Sequence, residues 1–178
     1  NIPDLALELV AAGLKDAFQQ QPSEVPEAEL QAAFQVLQGK MQAAAEAAAA
    51  QAAQAGVDFL AENAKREGVI TLASGLQYEV VTAGTGATPD ASSTVRTHYE
   101  GTLISGEVFD SSYKRGQPAE FPVGGVIAGW TEALQLMQEG AKWRLYIPSE
   151  LAYGARGAGN SIPPHSALIF DIELIKVL

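Results

Sequence analysis

Cysteine is absent from this 178-residue chain, and histidine occurs only twice. Without cysteine there can be no disulfide, no thiolate nucleophile and no cysteine-ligated metal. His98 and His165 lie far apart in the chain and form no HxxxH-type pair, which argues against a zinc site. The lack of cysteine does not define the compartment, because both a reducing cytosol and an oxidising periplasm tolerate such a chain.

Basic residues are also scarce. Eleven Lys and Arg stand against 21 Asp and Glu, for a formal charge of −10. An acidic chain repels phosphate backbones, so we expect no nucleic-acid partner. No apolar run reaches the length of about 18 residues that a membrane span needs, so none is expected. The chain begins with Asn1, and Asp4 and Glu8 interrupt the one candidate for a secretory signal, which indicates a fragment or a processed form.

Familiar catalytic signatures are missing as well. There is no GxSxG elbow and no GxxxxGK[ST] loop. The GxG at Gly84–Gly86 is followed by Pro89 and Asp90, which predicts a turn rather than a phosphate-binding helix start. Glu100 and Glu107 could form a carboxylate pair. Successive residues of a strand point to opposite faces, however, and this alternation favours a solvated position for both. No nucleophile is placed beside a base.

The composition changes near Gly68, which divides the chain into residues 1–67 and 68–178. The first part is rich in Ala, Gln and Glu, which favours helix. The second part has short β-branched and aromatic runs separated by Gly, Pro and Ser, which is typical of strands and turns. We therefore predict a helical N-terminal region followed by a sheet-containing domain.

Two helices are predicted in residues 1–67. Apolar residues from Leu5 to Phe18 recur at three- and four-residue steps, which indicates an amphipathic helix. A second helix starts at Pro26 and, if it continues to about Lys65, is roughly 60 Å long. Its alanine-rich middle is typical of a solvated spacer. Alternatively, the helix is an arm that packs against a partner, with bulk supplied by Leu30, Phe34, Leu37 and Met41.

Period-two patterns predict antiparallel strands after Gly68. Tyr78 and Val80 alternate with Gln77 and Glu79, and Leu145 and Ile147 alternate with Arg144 and Tyr146. The same period recurs over residues 95–103 and 168–174. One short helix is predicted over residues 130–137. The fold class is therefore α+β, with an antiparallel sheet folded over one short helix.

Aromatic residues are spread over the predicted strands, helix and loops of this domain. They are Tyr99, Phe109, Phe121, Trp130, Tyr153 and Phe170. Such residues can simply form the core. The tyrosine hydroxyls, however, need hydrogen-bond partners, and a concave aromatic site with few polar groups is the usual form of a small-ligand pocket.

Five motifs in this region carry a resemblance to a known family. They are Val95–Gly101, Gly106–Ser112, Val126–Trp130, Leu151–Gly154 and Ile162–Phe170. In this order they resemble the FKBP-type peptidyl-prolyl cis-trans isomerases. The preceding segments Phe59–Lys65 and Ser74–Tyr78 are similar to the bacterial macrophage-infectivity-potentiator (Mip) subgroup. The resemblance implies a sheet wrapped over a short helix, an N-terminal helical region with one long helix, and a homodimer joined by the N-terminal helices.

The resemblance also implies a function and a set of site residues. The activity would be peptidyl-prolyl isomerisation (rotamase activity) on folding proteins, without a cofactor or metal. The implied catalytic residues are Tyr99, Asp110 and Tyr153. The implied substrate-binding residues are Phe109, Arg115, Phe121, Val126, Ile127, Trp130, Ala152, Ile162 and Phe170. The chain departs from the family pattern at Ala119, Ala158 and Ser161.

The expected partners follow from that family. They are proline-containing unfolded or partly folded proteins, macrolide inhibitors and a second copy of the chain. We expect chaperone activity beside isomerisation, in the bacterial cytoplasm or periplasm, with a slight preference for the cytoplasm. Two alternatives are a non-catalytic, proline-binding chaperone clamp and a helical adaptor; the complete set of pocket residues favours the isomerase.

Overall fold

The computed structural model describes Lys15, Phe18, Gln19 and residues 26–178. The first predicted helix, from Leu5 to Phe18, lies almost wholly outside the described residues. The chain divides into two compact units, residues 1–45 and 46–178. The division at residues 67 and 68, taken from composition, stays a prediction.

The predicted long helix is present as α1, Glu27–Asn63. Pro26 immediately precedes it, and Glu27 and Glu29 occupy its first turn, where their charges complement the helix dipole. In the first unit the apolar stripe is open to solvent, with Phe34 61% and Met41 55% exposed. No helix in the described part of the chain combines the length and hydropathy needed to cross a bilayer.

The second unit contains an antiparallel sheet, as predicted. Its strands are β1 Val69–Thr71, β2 Gln77–Thr82, β3 Thr94–Leu103, β4 Val108–Ser111, β5 Ala119–Pro122, β6 Lys142–Ile147 and β7 Leu168–Val177. They lie in the order β1-β2-β6-β7-β3-β4, and β5 also pairs with β3. Every strand pairing is antiparallel.

Two helices of the second unit position the candidate site. They are α2, Ser112–Arg115, and α3, Ala128–Leu134. Alternate residues of β3 and β7 point inward, and Val95, Ile172 and Leu174 are fully buried there together with Leu134 of α3. The α+β architecture, with a short helix packed on one face of the sheet, is confirmed.

The strict alternation of buried and exposed residues fails on the opposite face of β2 and β6. The period-two pattern sets Gln77 and Tyr146 on the face opposite to the apolar residues of each strand, but they are only 4% and 2% exposed. The last turns of α1 cover them. Asn63 Nδ2 donates to Gln77 Oε1 at 2.9 Å, Gln77 Nε2 donates to the Leu60 carbonyl at 2.9 Å, and the rings of Phe59 and Tyr146 lie 6.0 Å apart. The buried amides are hydrogen-bonded, as burial requires.

Candidate active site

A cavity of about 430 Å³ opens between the sheet and the start of α3. That volume falls within the range of small-ligand sites. Its walls are largely aromatic and aliphatic. The lining residues are Tyr99, Phe109, Asp110, Phe121, Gly125, Val126, Ile127, Trp130, Tyr153 and Phe170.

Trp130 forms the buried centre of this aromatic group. It lies in the first turn of α3 and is 4% exposed. Its ring meets Tyr99, Phe121 and Phe170 nearly at right angles, with centroid distances of 5.2, 5.7 and 5.2 Å. Edge-to-face contacts of this kind stabilise aromatic clusters beyond simple burial. The Trp130 Nε1–H is buried and has no hydrogen-bond partner within the described residues.

Phe109 and Phe170 form a second edge-to-face pair, with centroids 5.5 Å apart. A glycine of β3 lies directly beneath them. A Cβ at Gly101 would stand 2.5 Å from Phe109 Cζ and 2.7 Å from Phe170 Cε1. These distances are shorter than van der Waals contact, so the two rings can occupy these positions only because residue 101 has no side chain.

The polar side of the cavity is a network of three side chains. The Tyr99 hydroxyl donates to Asp110 Oδ2 at 2.5 Å and accepts from Arg115 Nη2 at 2.7 Å. Arg115 Nη1 also donates to Asp110 Oδ1, which closes the network. Pairing of β4 with β3 sets Asp110 opposite Gly101, and α2 carries Arg115. The Asp110–Arg115 ion pair therefore joins a carboxylate that lines the cavity to a guanidinium behind it, and it is not an isolated surface contact.

This network shifts the titration of its members. Burial alone would raise the pKa of the Asp110 carboxyl, but the hydrogen bonds from Tyr99 and Arg115 outweigh burial and hold that pKa below its ordinary value. Burial, followed by the hydrogen bond to Asp110, raises the pKa of the Tyr99 hydroxyl. At neutral pH, Asp110 is thus an anion and Tyr99 a neutral donor.

Two further groups offer hydrogen bonds at the cavity. Ile127 is the residue before the first turn of α3, where backbone N–H groups lack an intrahelical acceptor. Tyr153 lines the cavity but remains 40% exposed. With Asp110, they give the apolar cavity a small number of polar contacts at its rim.

The structure brings most of the predicted site residues together, but not all of them. Arg115 lies behind Asp110 and Tyr99 and outside the lining. Ile162 belongs to the buried core and Ala152 packs against it; Ile162 also shares backbone hydrogen bonds of 2.9 and 3.1 Å with Ala158. Their role in substrate binding stays a prediction. Gly125 lines the cavity and was missed, because the double glycine before Val126 reads only as a turn.

Comparison with known proteins agrees with this arrangement. Residues 86–175 match the FKBP-type peptidyl-prolyl cis-trans isomerase domain, and residues 1–80 match the domain found amino-terminal to it. The chain is 50% identical over its full length to the FKBP-type 22 kDa peptidyl-prolyl cis-trans isomerase of Escherichia coli and covers 86% of that relative. It is 56% identical over 119 residues to the peptidyl-prolyl cis-trans isomerase Mip of Coxiella burnetii, which is 67% of this chain and 52% of the relative.

A solved structure supports the same assignment. The crystal structure of FkpA from Escherichia coli aligns with a TM-score of 0.81 at 42% identity, over 97% of this chain and 82% of that one. The family match, the full-length relative and the fold support the same family assignment. This chain belongs to the FKBP-type peptidyl-prolyl cis-trans isomerases.

Proposed function

We propose that the aromatic cavity binds the proline of an X-Pro segment and accelerates rotation about the preceding peptide bond. Amide resonance creates a rotation barrier of about 18–20 kcal/mol. Both isomers are populated at X-Pro bonds, and they exchange in tens to hundreds of seconds. Rotation breaks no covalent bond, so the reaction requires neither a nucleophile nor a metal.

Catalysis in such a cavity rests on differential binding. When the bond twists, resonance is lost and the amide becomes less polar. A water-poor, aromatic environment therefore disfavours the planar ground state more than the twisted state. The single observation that carries this proposal is the cavity itself: Trp130 at its buried centre, ringed by Tyr99, Phe121 and Phe170.

The resemblance to the family implies a role for each of these residues. Trp130 would support the proline ring. The Ile127 N–H and the Tyr153 hydroxyl would donate to substrate carbonyls. Asp110, held by Tyr99 and Arg115, would lie at the cavity edge near the carbonyl of the twisting bond.

The test measures the isomerisation of an Ala-Leu-Pro-Phe-type peptide with a protease-coupled assay or an NMR exchange assay. We expect Asp110→Ala to lower kcat/KM by at least about tenfold, the effect of about 1.4 kcal/mol of transition-state stabilisation. Tyr153→Phe removes one hydrogen bond and should lower it by about two- to tenfold. Asp171→Ala is the matched control, because it breaks another Arg–Asp pair, with Arg144, outside the cavity.

If both site variants turn over the peptide as fast as the control does, the assignment of the cavity is wrong. The folded state of each variant is checked by thermal unfolding. We propose that macrolide inhibitors bind the same cavity. A macrolide should therefore compete with the peptide in the unmodified protein and raise the apparent KM for the peptide.

We also propose that the exposed stripe on residues 26–45 pairs with a second copy, and that the paired helical arms hold protein clients. Leu30, Phe34 and Met41 present apolar area that a single copy leaves in water. Phe34→Glu should convert a dimer into monomers in sedimentation. It should also slow the refolding of a proline-limited protein while the peptide activity stays unchanged. A monomeric unmodified chain would contradict the pairing.

A further inference from the structure

One edge of β3 is paired with two different strands, and a gap lies between them. β5 pairs with β3 up to Thr97, and β4 pairs with it from Glu100 onward. On this edge Tyr99 has no strand opposite it. A backbone N–H and C=O left without partners in a buried position would each cost free energy, so this gap must be filled.

A single hydroxyl fills it. Ser112 Oγ accepts from the Tyr99 N–H at 2.8 Å and donates to the Tyr99 C=O at 3.1 Å. It also lies 2.9 Å from His98 Nδ1. A hydroxyl has one proton and two lone pairs, so all three contacts are satisfied together when the proton of His98 is on Nδ1. Ser112 is fully buried.

Ser112 and Arg115 belong to the same short helix, α2, and they hold opposite ends of Tyr99. Ser112 binds the backbone of Tyr99, and Arg115 binds its hydroxyl and the neighbouring Asp110. Ser111 caps the helix by accepting from the Lys114 N–H at 3.3 Å. The position of the Tyr99 ring therefore depends on how α2 is attached to β3, and Ser112 supplies that attachment.

We propose that Ser112 is a positioning residue: its hydroxyl replaces the missing strand partner of Tyr99 and so sets the Tyr99 ring and the Asp110 carboxylate at the cavity rim. This inference rests on the proposed role of Tyr99 and Asp110 in isomerisation. It assigns Ser112 no contact with the substrate.

The test compares Ser112→Ala with Thr97→Val. Thr97 lies on the inward face of β3, two residues before Tyr99, and its buried hydroxyl has no partner within the described residues. Both changes thus remove a buried hydroxyl close to Tyr99, but only one removes hydrogen bonds. We expect Ser112→Ala to lower kcat by about ten- to a hundredfold, the range for small misplacements of catalytic groups, and Thr97→Val to leave it within about twofold.

A second readout separates positioning from a general loss of stability. The Asp110 carboxyl is titrated by ¹³C NMR in both full-length variants. In Ser112→Ala its pKa should rise towards the ordinary value of about 3.9, whereas in Thr97→Val it should stay low. Should Ser112→Ala fail to fold, Ser112→Cys keeps a similar volume with only a weak S–H donor and should show the same changes in smaller degree.

Wild-type kcat together with a wild-type Asp110 titration in the Ser112 variant would overturn the inference. Asp110→Ala and Tyr99→Phe are measured beside it. If they lower activity while the Ser112 variant does not, only the positioning role fails. If Asp110→Ala and Tyr99→Phe both keep full activity, the assignment of the cavity is wrong. The Asp110 titration in the Ser112 variant then still shows whether Ser112 holds the network of Tyr99, Asp110 and Arg115 together.

Discussion

A methyl group added at Gly101 is the sharpest test of how the cavity walls are built. The Cβ of Gly101→Ala would lie 2.5 and 2.6 Å from two atoms of the Phe109 ring and 2.7 Å from Phe170. Gly101 does not have a positive φ, so alanine brings no backbone strain at this position. The expected effect is therefore steric and falls on the two rings.

The magnitude follows from overpacking. Extra methyl groups in a well-packed interior cost about 1–3 kcal/mol, and each kcal/mol lowers the Tm of a protein of this size by about 2–4 °C. The Phe109 and Phe170 rings must move into the cavity or away from it to relieve the contact. We expect kcat/KM for an Ala-Leu-Pro-Phe-type peptide to fall by about tenfold or more at 25 °C.

Gly39→Ala is the matched control. Gly39 lies in α1, and an added Cβ there would meet nothing within 4 Å. Alanine is the better helix former, so this variant should be more stable by about 0.5–1 kcal/mol and keep full peptide activity. Differential scanning calorimetry and the isomerisation assay check both variants. If Gly101→Ala matches the unmodified protein in Tm and in activity, the close packing of the two rings around residue 101 is wrong.

Three further predictions concern stability. Thr97→Val removes a buried hydroxyl that has no hydrogen-bond partner in the described part of the chain, and it should raise the free energy of unfolding by about 1 kcal/mol in urea titration. A lower free energy of unfolding would show that the hydroxyl is hydrogen-bonded. Asp110 has a folded-state pKa below its unfolded value, so its ionised form adds stability above about pH 4. That contribution is lost as the pH falls through the lower, folded-state pKa; Asp110→Asn should flatten this part of the acid limb, and an unchanged limb would contradict the shift. Asn63→Leu leaves the buried Gln77 amide without one partner and should lower the free energy of unfolding by about 1–3 kcal/mol; unaltered urea denaturation would show that α1 does not hold β2 through this pair.

Local periodicity predicted much of the fold, because the spacing of apolar residues within one short segment is enough to indicate a strand or a helix. The alternation of Val95, Thr97 and Tyr99 placed one face of β3 in the core, and the run from Pro26 gave α1 nearly to its observed end at Asn63. The burial of Gln77 and Tyr146 could not be read in this way. It depends on α1 covering that face of the sheet, a contact between distant segments that no local pattern records.

In the candidate site, too, some features could be predicted from the sequence and others depend on contacts between distant segments. Family motifs pointed to the aromatic residues and to Asp110, because their side chains carry the chemistry. Gly101 and Ser112 end two of these motifs, but neither was given a role, since one has no side chain and the other resembles any surface serine. Their importance lies in distances, to Phe109 in one case and to the Tyr99 backbone in the other, which only a folded chain provides.

Titration of the ¹⁵N-labelled protein with an X-Pro peptide tests most directly whether the cavity is the site. The chain has two tryptophans, and both are largely buried. Trp130 lines the cavity, whereas Trp143 stacks on Tyr78 at 4.3 Å, outside the lining. We expect the Trp130 indole N–H resonance to shift on binding and that of Trp143 to stay in place. A shift confined to Trp143, or none at either residue while isomerisation proceeds, would place the reaction elsewhere in the molecule.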